Sequence, residues 1–216
     1  MLYHDQHVGV GAPRFPERLR TIPRPPTGLY VQGDLSAINR PAVAIIGGRA
    51  APRSARDWAR DMAQDLAQAG FVVVSGLARG IDQSAHRGAV WAQKPTFAFL
   101  GGGIERHNDS YLIREMLDNG GALLSEYGPD DQITGWRLRQ RNRLIVGLAD
   151  VVIVADATRT PPAGSGATQA ALDAVEARRP VLAPEWVDLP GVVGAKFVEE
   201  PADVLREYAG AVGRSI

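Results

Sequence analysis

Phe71-Val72-Val73-Val74 runs into Ser75-Gly76-Leu77-Ala78-Arg79-Gly80-Ile81-Asp82-Gln83-Ser84-Ala85-His86, and this stretch decides the fold. The β-branched run reads as a buried strand. Two glycines then frame a turn, and an Ala-containing amphipathic segment begins. A strand, a tight turn and a helix start make a ready anion site. The first N–H groups of a helix lack intrahelical partners, and the helix dipole favours negative charge there. Arg79 lies within that turn. Its guanidinium either grips a phosphate in a two-pronged way or pairs internally with Asp82.

Working outward, the same unit recurs. Ala42-Val43-Ala44-Ile45-Ile46 is a continuous apolar strand, as expected when both sheet faces are covered. It ends in Gly47-Gly48-Arg49, and a helix is expected from Ser54 to Ala69, stopped by Gly70. After the helix that follows Arg79 come a strand at 96–100 with Gly101-Gly102-Gly103, a helix at 110–119 and a strand at 122–126. The segment 136–143 leads into a short helix through Leu148. A strand at 151–155, a helix opened by Gly164-Ser165-Gly166, a strand at 180–183, a short strand near Phe197 and a helix at 202–209 complete the series. Alternating strands and helices with short connections predict an α/β fold: an extended Rossmann-like, doubly wound, mostly parallel sheet. Residues 1–38 read as an N-terminal arm packed on the main domain at 39–216. Residues 1–14 are expected to be irregular, Pro23, Pro25 and Pro26 exclude a helix, and 29–33 is extended, pairing at the sheet edge.

Composition narrows the function. The 216-residue chain carries 24 Lys plus Arg against 24 Asp plus Glu, so it is not an indiscriminately basic nucleic-acid binder. Lys94 and Lys196 are its only lysines, so nearly all positive charge is arginine, and the overall balance still permits a local basic groove. It has no cysteine, which removes thiol chemistry and fits a cytoplasmic protein. No signal-peptide pattern and no apolar run of about 20 residues is present, so no membrane association is expected.

In such a sheet, ligands bind at the carboxyl ends of the strands, and that rule collects the glycine turns on one rim. The first turn is not G-x-G-x-x-G, and neither lysine follows a glycine loop, so ordinary NAD and ATP sites are disfavoured and no cofactor is expected. Ser165 lacks the spacing of a nucleophile turn. Asp82 and His86, four apart, read as a pair tying the helix to its turn. Arg137, Arg139, Arg141 and Arg143 place four positive charges within eight residues, with no acid among them. If extended, they share one side; if helical, Arg137 and Arg141 share one face and Arg139 and Arg143 another. Trp136 and Leu138 offer apolar surface to an unstacked base.

At this point the chain resembles the DNA-processing protein A family, also called Smf or DprA. Ser75 to His86 looks like the family signature. Val43 to Arg49 resembles its first strand and turn, with Gly48 where a serine is usual. Leu123-Leu124-Ser125-Glu126-Tyr127 and Arg141-Asn142-Arg143-Leu144-Ile145-Val146-Gly147-Leu148-Ala149-Asp150 match two further blocks. Phe15-Pro16 and Pro25-Pro26-Thr27-Gly28-Leu29-Tyr30 match the arm. The likeness spans roughly residues 15 to 185. It implies a homodimeric, non-catalytic single-stranded DNA-binding protein that protects incoming DNA in transformation or recombination and helps load RecA recombinase. The site residues it implies are Arg49, Gly76, Arg79, Gly80, Arg141, Asn142 and Arg143, with Ser165 and Thr168 at a further turn. Trp136 and Arg139 join them from the arginine run. The aromatic-proline pair usual before Arg-Asn-Arg is Leu138-Arg139 here. The winged-helix and N-terminal helical domains of many members are expected to be missing. On this reading, replacing Arg49 or Arg141 weakens strand binding while the fold survives. The alternative is a nucleotide-binding or nucleoside-monophosphate-hydrolysing enzyme or sensor of the related phosphoribohydrolases, whose Pro-Gly-Gly-x-Gly-Thr motif finds only a loose echo in 163–168.

Overall fold

Short runs of Val, Ile, Leu and Ala have no polar face to offer water, so they must be covered on both sides. The computed structural model describes residues 6–107, 110–157, 166–189 and 191–213 and shows how that is done. The elements, in chain order, are β1 (Gln6–Gly9), α1 (Glu17–Arg20), β2 (Gly28–Gly33), β3 (Ala42–Ile46), α2 (Arg53–Gln68), β4 (Val72–Ser75), α3 (Ile81–Trp91) and β5 (Thr96–Phe99). They continue with α4 (Tyr111–Asp118), β6 (Ala122–Ser125), α5 (Gly135–Leu148), β7 (Val151–Val154), α6 (Gly166–Glu176), β8 (Val181–Ala183), β9 (Lys196–Phe197) and α7 (Pro201–Val212).

The described strands form one sheet in the order β1-β2-β6-β5-β4-β3-β7-β8-β9. From β6 to β9 every pairing is parallel, whereas β1 and β2 run antiparallel. The order reverses at β3: β4, β5 and β6 extend one way and β7, β8 and β9 the other. The switch point therefore lies between β3 and β7, where open α/β sheets place their ligands.

Successive residues of each central strand serve opposite layers. Ala42, Ala44, Ile46, Val152 and Val154 join the core beneath α5, α6 and the arm. Val43, Ile45, Val151 and Ile153 join the core beneath α2, α3 and α7. A third cluster packs α4 on Ala98, Leu100 and Leu123. The α2–α3 contact is made by small residues. A Cβ on Gly88 would press into the Arg60 carbonyl oxygen and lie 2.8 Å from the Ala63 methyl. Gly88→Ala is therefore expected to cost about 1–3 kcal/mol in urea unfolding, as overpacking does. Gly210, on the open face of α7 with nothing near its Cβ position, is the control. There Gly→Ala should stabilise by about 0.5–1 kcal/mol.

The arm belongs to the sheet. β2 pairs with β6, as its extended pattern suggests, and Val8, Phe15, Leu19, Leu29 and Val31 are buried in the core. The expectation that residues 1–14 are irregular is corrected. Residues 6–9 form β1, because the free edge of β2 supplies hydrogen-bonding partners that local sequence does not reveal. Arg18 fastens the arm. It donates to the Leu148 carbonyl at 2.7 Å and lies 3.3 Å from Asp150, whose carboxylate accepts the Ala42 N–H at 2.9 Å. Gly147 leaves room for Ile22, so part of the Arg141–Asp150 block is a seat for the arm. No helix among the described residues is long and apolar enough to cross a membrane.

Candidate nucleic-acid interface

The carboxyl ends of β3, β4, β5, β6 and β7 share one rim. The turns after β3 and β4 touch each other there. Gly80, at φ +90°, takes a backbone conformation other residues resist, and a Cβ on it would strike the Gly48 and Arg49 carbonyls. Gly80 therefore brings the Arg79 turn against the Arg49 turn. Both arginines are exposed, and neither forms an ion pair among the described residues. Asp82 is buried and faces Arg141 rather than Arg79, so the internal Arg79–Asp82 pair does not form.

The arginine run is helical throughout, with Thr134 capping α5 by accepting the Arg137 N–H at 3.2 Å. This settles how its four charges are spent. Arg137 bonds Asp131 at 3.0 Å and lies 4.7 Å above the Tyr127 ring. Burial, with Glu126 beside it, pushes the Tyr127 hydroxyl up to about 12, so it stays protonated. Arg143 makes a two-pronged bond to Glu126 at 2.8 and 2.6 Å and donates to the Arg24 carbonyl. Arg139 stays exposed without an ion pair among the described residues, next to Trp136, which is 59% exposed.

Arg141 is buried. Its guanidinium donates to the Gly76 carbonyl at 3.1 Å and stands 3.8 Å from the Asp82 carboxylate. A Cβ on Gly76 would overlap that guanidinium, so this glycine serves a close approach between α5 and the β4–α3 turn. Burial pushes the Asp82 carboxyl up and the Arg141 guanidinium down, and their mutual attraction opposes both shifts. Backbone N–H groups of Ala78 and Gly76 also hold the Asp82 charge. Asp82 thus ties its helix to the turn, while His86 bonds Thr96 of β5 instead. The expectation that Arg141 can be replaced with the fold intact needs correction: Asp82 would be left buried without its counter-ion. Asn142 donates to the Gly166 carbonyl at 3.2 Å and fastens α5 to the start of α6. Thr168 is half-buried in the first turn of α6. Ser165 lies outside the described residues.

The glycine turns are not equivalent. A Cβ on Gly101 would meet Leu138, on Gly102 Ile133, and on Gly103 the Pro129 carbonyl. That turn is buried under the loop leading to α5, so its glycines serve packing, not phosphate. The turn after β3 differs. It precedes α2, which no side chain caps and whose first turn holds no acid. The first turns of α5 and α6 also lack acids. Their positive dipole ends are not cancelled locally. Sequence reasoning misses Asp82 and Glu126 as the acids that consume Arg141 and Arg143, because each lies far away in the chain.

Fold and site together define a Rossmann-like protein with an open, arginine-bearing rim at its switch point, suited to a phosphate-rich ligand. The sequence profile of DNA recombination-mediator protein A matches residues 6–215, and the chain belongs to that family. It is 33% identical over 198 residues to protein Smf of Escherichia coli, covering 90% of this chain and 50% of that one. The X-ray structure of DNA processing protein A from Streptococcus pneumoniae superposes with a TM-score of 0.81 at 31% identity, over 94% of this chain and 74% of that one. DNA processing protein A from Helicobacter pylori superposes at 0.72 and 27% identity, over 98% and 91%; its structure was described for its single-stranded DNA binding mode. The chain thus spans half the length of the Escherichia coli relative.

Proposed function

We propose that the rim binds single-stranded DNA without transforming it. Arg49, Arg79 and Arg139 take the phosphates and Trp136 stacks on a base. Gly76, Gly80, Arg141, Asn142 and Arg143 build the scaffold, and Ser165 and Thr168 are further contacts for the strand. The observation that carries this reading is the division among the arginines. Arg141 and Arg143 are spent on internal acids, whereas Arg49, Arg79 and Arg139 stand exposed without ion pairs among the described residues. The single-stranded DNA binding mode described for the Helicobacter pylori relative supports the choice of strand. In the same reading the protein works in the cytoplasm as a homodimer, in DNA uptake or recombination, and assists RecA loading. Membership of the DNA recombination-mediator protein A family supports the role in recombination.

Anisotropy titration with labelled single-stranded and duplex DNA tests the site. The single strand should bind more tightly, and Arg49→Ala/Arg79→Ala should weaken it about 10–100-fold, at about 1.4 kcal/mol per tenfold. Trp136→Ala should remove about 1–3 kcal/mol of stacking. Undiminished binding by these variants would place the strand elsewhere. Incubation with AMP should release no base; release would favour the hydrolase alternative.

A further inference from the structure

A second basic surface leaves the rim along the outside of the molecule. α2 and α3 both start at the rim, run side by side away from it, and pack through Gly88. Between them lies a groove of about 360 Å³ lined by Arg53, Arg56, Arg60 and Arg87, with Trp91 at the far end. Asp57 is the only acid in that lining. It is engaged by Arg60 at 2.7 Å and Arg53 at 3.4 Å, and Arg60 also bonds Asp61 at 2.8 Å. No ion pair among the described residues engages Arg56 or Arg87, and both are exposed. The Arg60 guanidinium lies 4.8 Å above the Trp91 ring, yet Trp91 remains 56% exposed. An indole pinned by a cation and open to solvent is a stacking platform for a base.

The groove adjoins the proposed site. Arg53 follows Arg49 by four residues, at the start of α2. From Arg53 to Arg60 the helix advances about 10 Å, at about 1.5 Å per residue. Arginines along such a path, ending in an open aromatic ring, match the chemistry of a nucleic-acid backbone with an unstacked base. We propose that the α2–α3 groove is a second binding segment for the same single strand. Phosphates leaving the rim pass Arg56 and Arg87, and a base stacks on Trp91. This rests on the reading of the rim given above.

Strand length separates the two. Oligothymidylates of about six and about twenty nucleotides bracket the rim alone and the rim plus groove. Arg56→Ala/Arg87→Ala changes only exposed side chains, so the fold is retained. It should leave the short strand unaffected and weaken the long one about tenfold, with a salt dependence shallower by about 1.4, for two lost phosphate contacts. Trp91→Phe should remove the extra fluorescence quench that the long strand gives. Arg49→Ala/Arg79→Ala should weaken both lengths. If Arg56→Ala/Arg87→Ala binds both strands as the parent does, the groove proposal is overturned and the patch falls to an acidic protein surface. If Arg49→Ala/Arg79→Ala binds both undiminished, it is the rim reading that fails.

Discussion

Arg141→Met is expected to destabilise the fold by about 3–5 kcal/mol, because removing one partner of a buried pair strands the other. Against a typical total of about 5–15 kcal/mol, that is a large fraction. The Arg141 and Asp82 side chains are 5% and 8% exposed, and the Gly76 carbonyl also loses its donor. Burial already raises the Asp82 carboxyl, so after the substitution it takes up a proton more readily. The deficit should therefore shrink as pH falls. Arg141→Met/Asp82→Leu, which removes both charges, should recover most of the loss, since a buried pair exchanged for apolar groups is often neutral. Urea unfolding followed by circular dichroism gives the double-mutant cycle. A single variant as stable as the parent would show that Arg141 is not an internal strut.

The second large effect is acid sensitivity through His86. The Thr96 hydroxyl donates to the Val73 carbonyl at 2.7 Å, so its proton is spent. The 2.8 Å contact with His86 Nδ1 must then be a donation from the imidazole. Nδ1 carries the hydrogen and buried Nε2 has no partner among the described residues. A proton on Nε2 would add a charge in a site without an acceptor. Burial first, and the Arg141 charge second, lower the pKa from 6.5 to about 3. The unfolded chain binds the proton below about 6.5 and the folded chain only near 3. Stability is thus fully present above about 6.5 and is lost as pH falls through that window, by of order 5 kcal/mol. Raised Asp82 works in the opposite sense and blunts part of the loss. His86→Leu should flatten the acid limb of stability against pH. An unchanged limb would assign acid unfolding to other groups.

Much of this fold can be read from residues alone, for a physical reason. β3, β4, β5, β6 and β7 are short runs, mostly apolar and, β7 apart, bordered by glycine turns, and burial on both faces leaves little ambiguity. α5 is harder, because an arginine run has no apolar period until Leu144. β1 is invisible in the sequence: it is four residues whose strand character comes from the edge it joins. The site shows the same divide. A glycine beside a strand end reads alike whether it faces a phosphate or makes room for Arg141, as Gly76 does, or for Leu138, as Gly101 does. An arginine reads as a free charge until the fold brings Glu126 to Arg143 or Asp82 to Arg141. Of the arginine run, Arg139 alone stays exposed without an ion pair among the described residues.

The central claim is that Arg49, Arg79 and Arg139 hold the phosphates of a single strand. Its most direct test is the salt dependence of affinity for a short single-stranded oligonucleotide, in the parent and in Arg49→Ala/Arg79→Ala/Arg139→Ala. All three substitutions are on exposed side chains, so folding is not at issue. Each phosphate contact adds about 0.7 to the slope of log affinity against log salt. The slope is expected to be shallower by about 2 in the triple variant, with weaker binding at low salt. Equal slopes and equal affinities would contradict the claim.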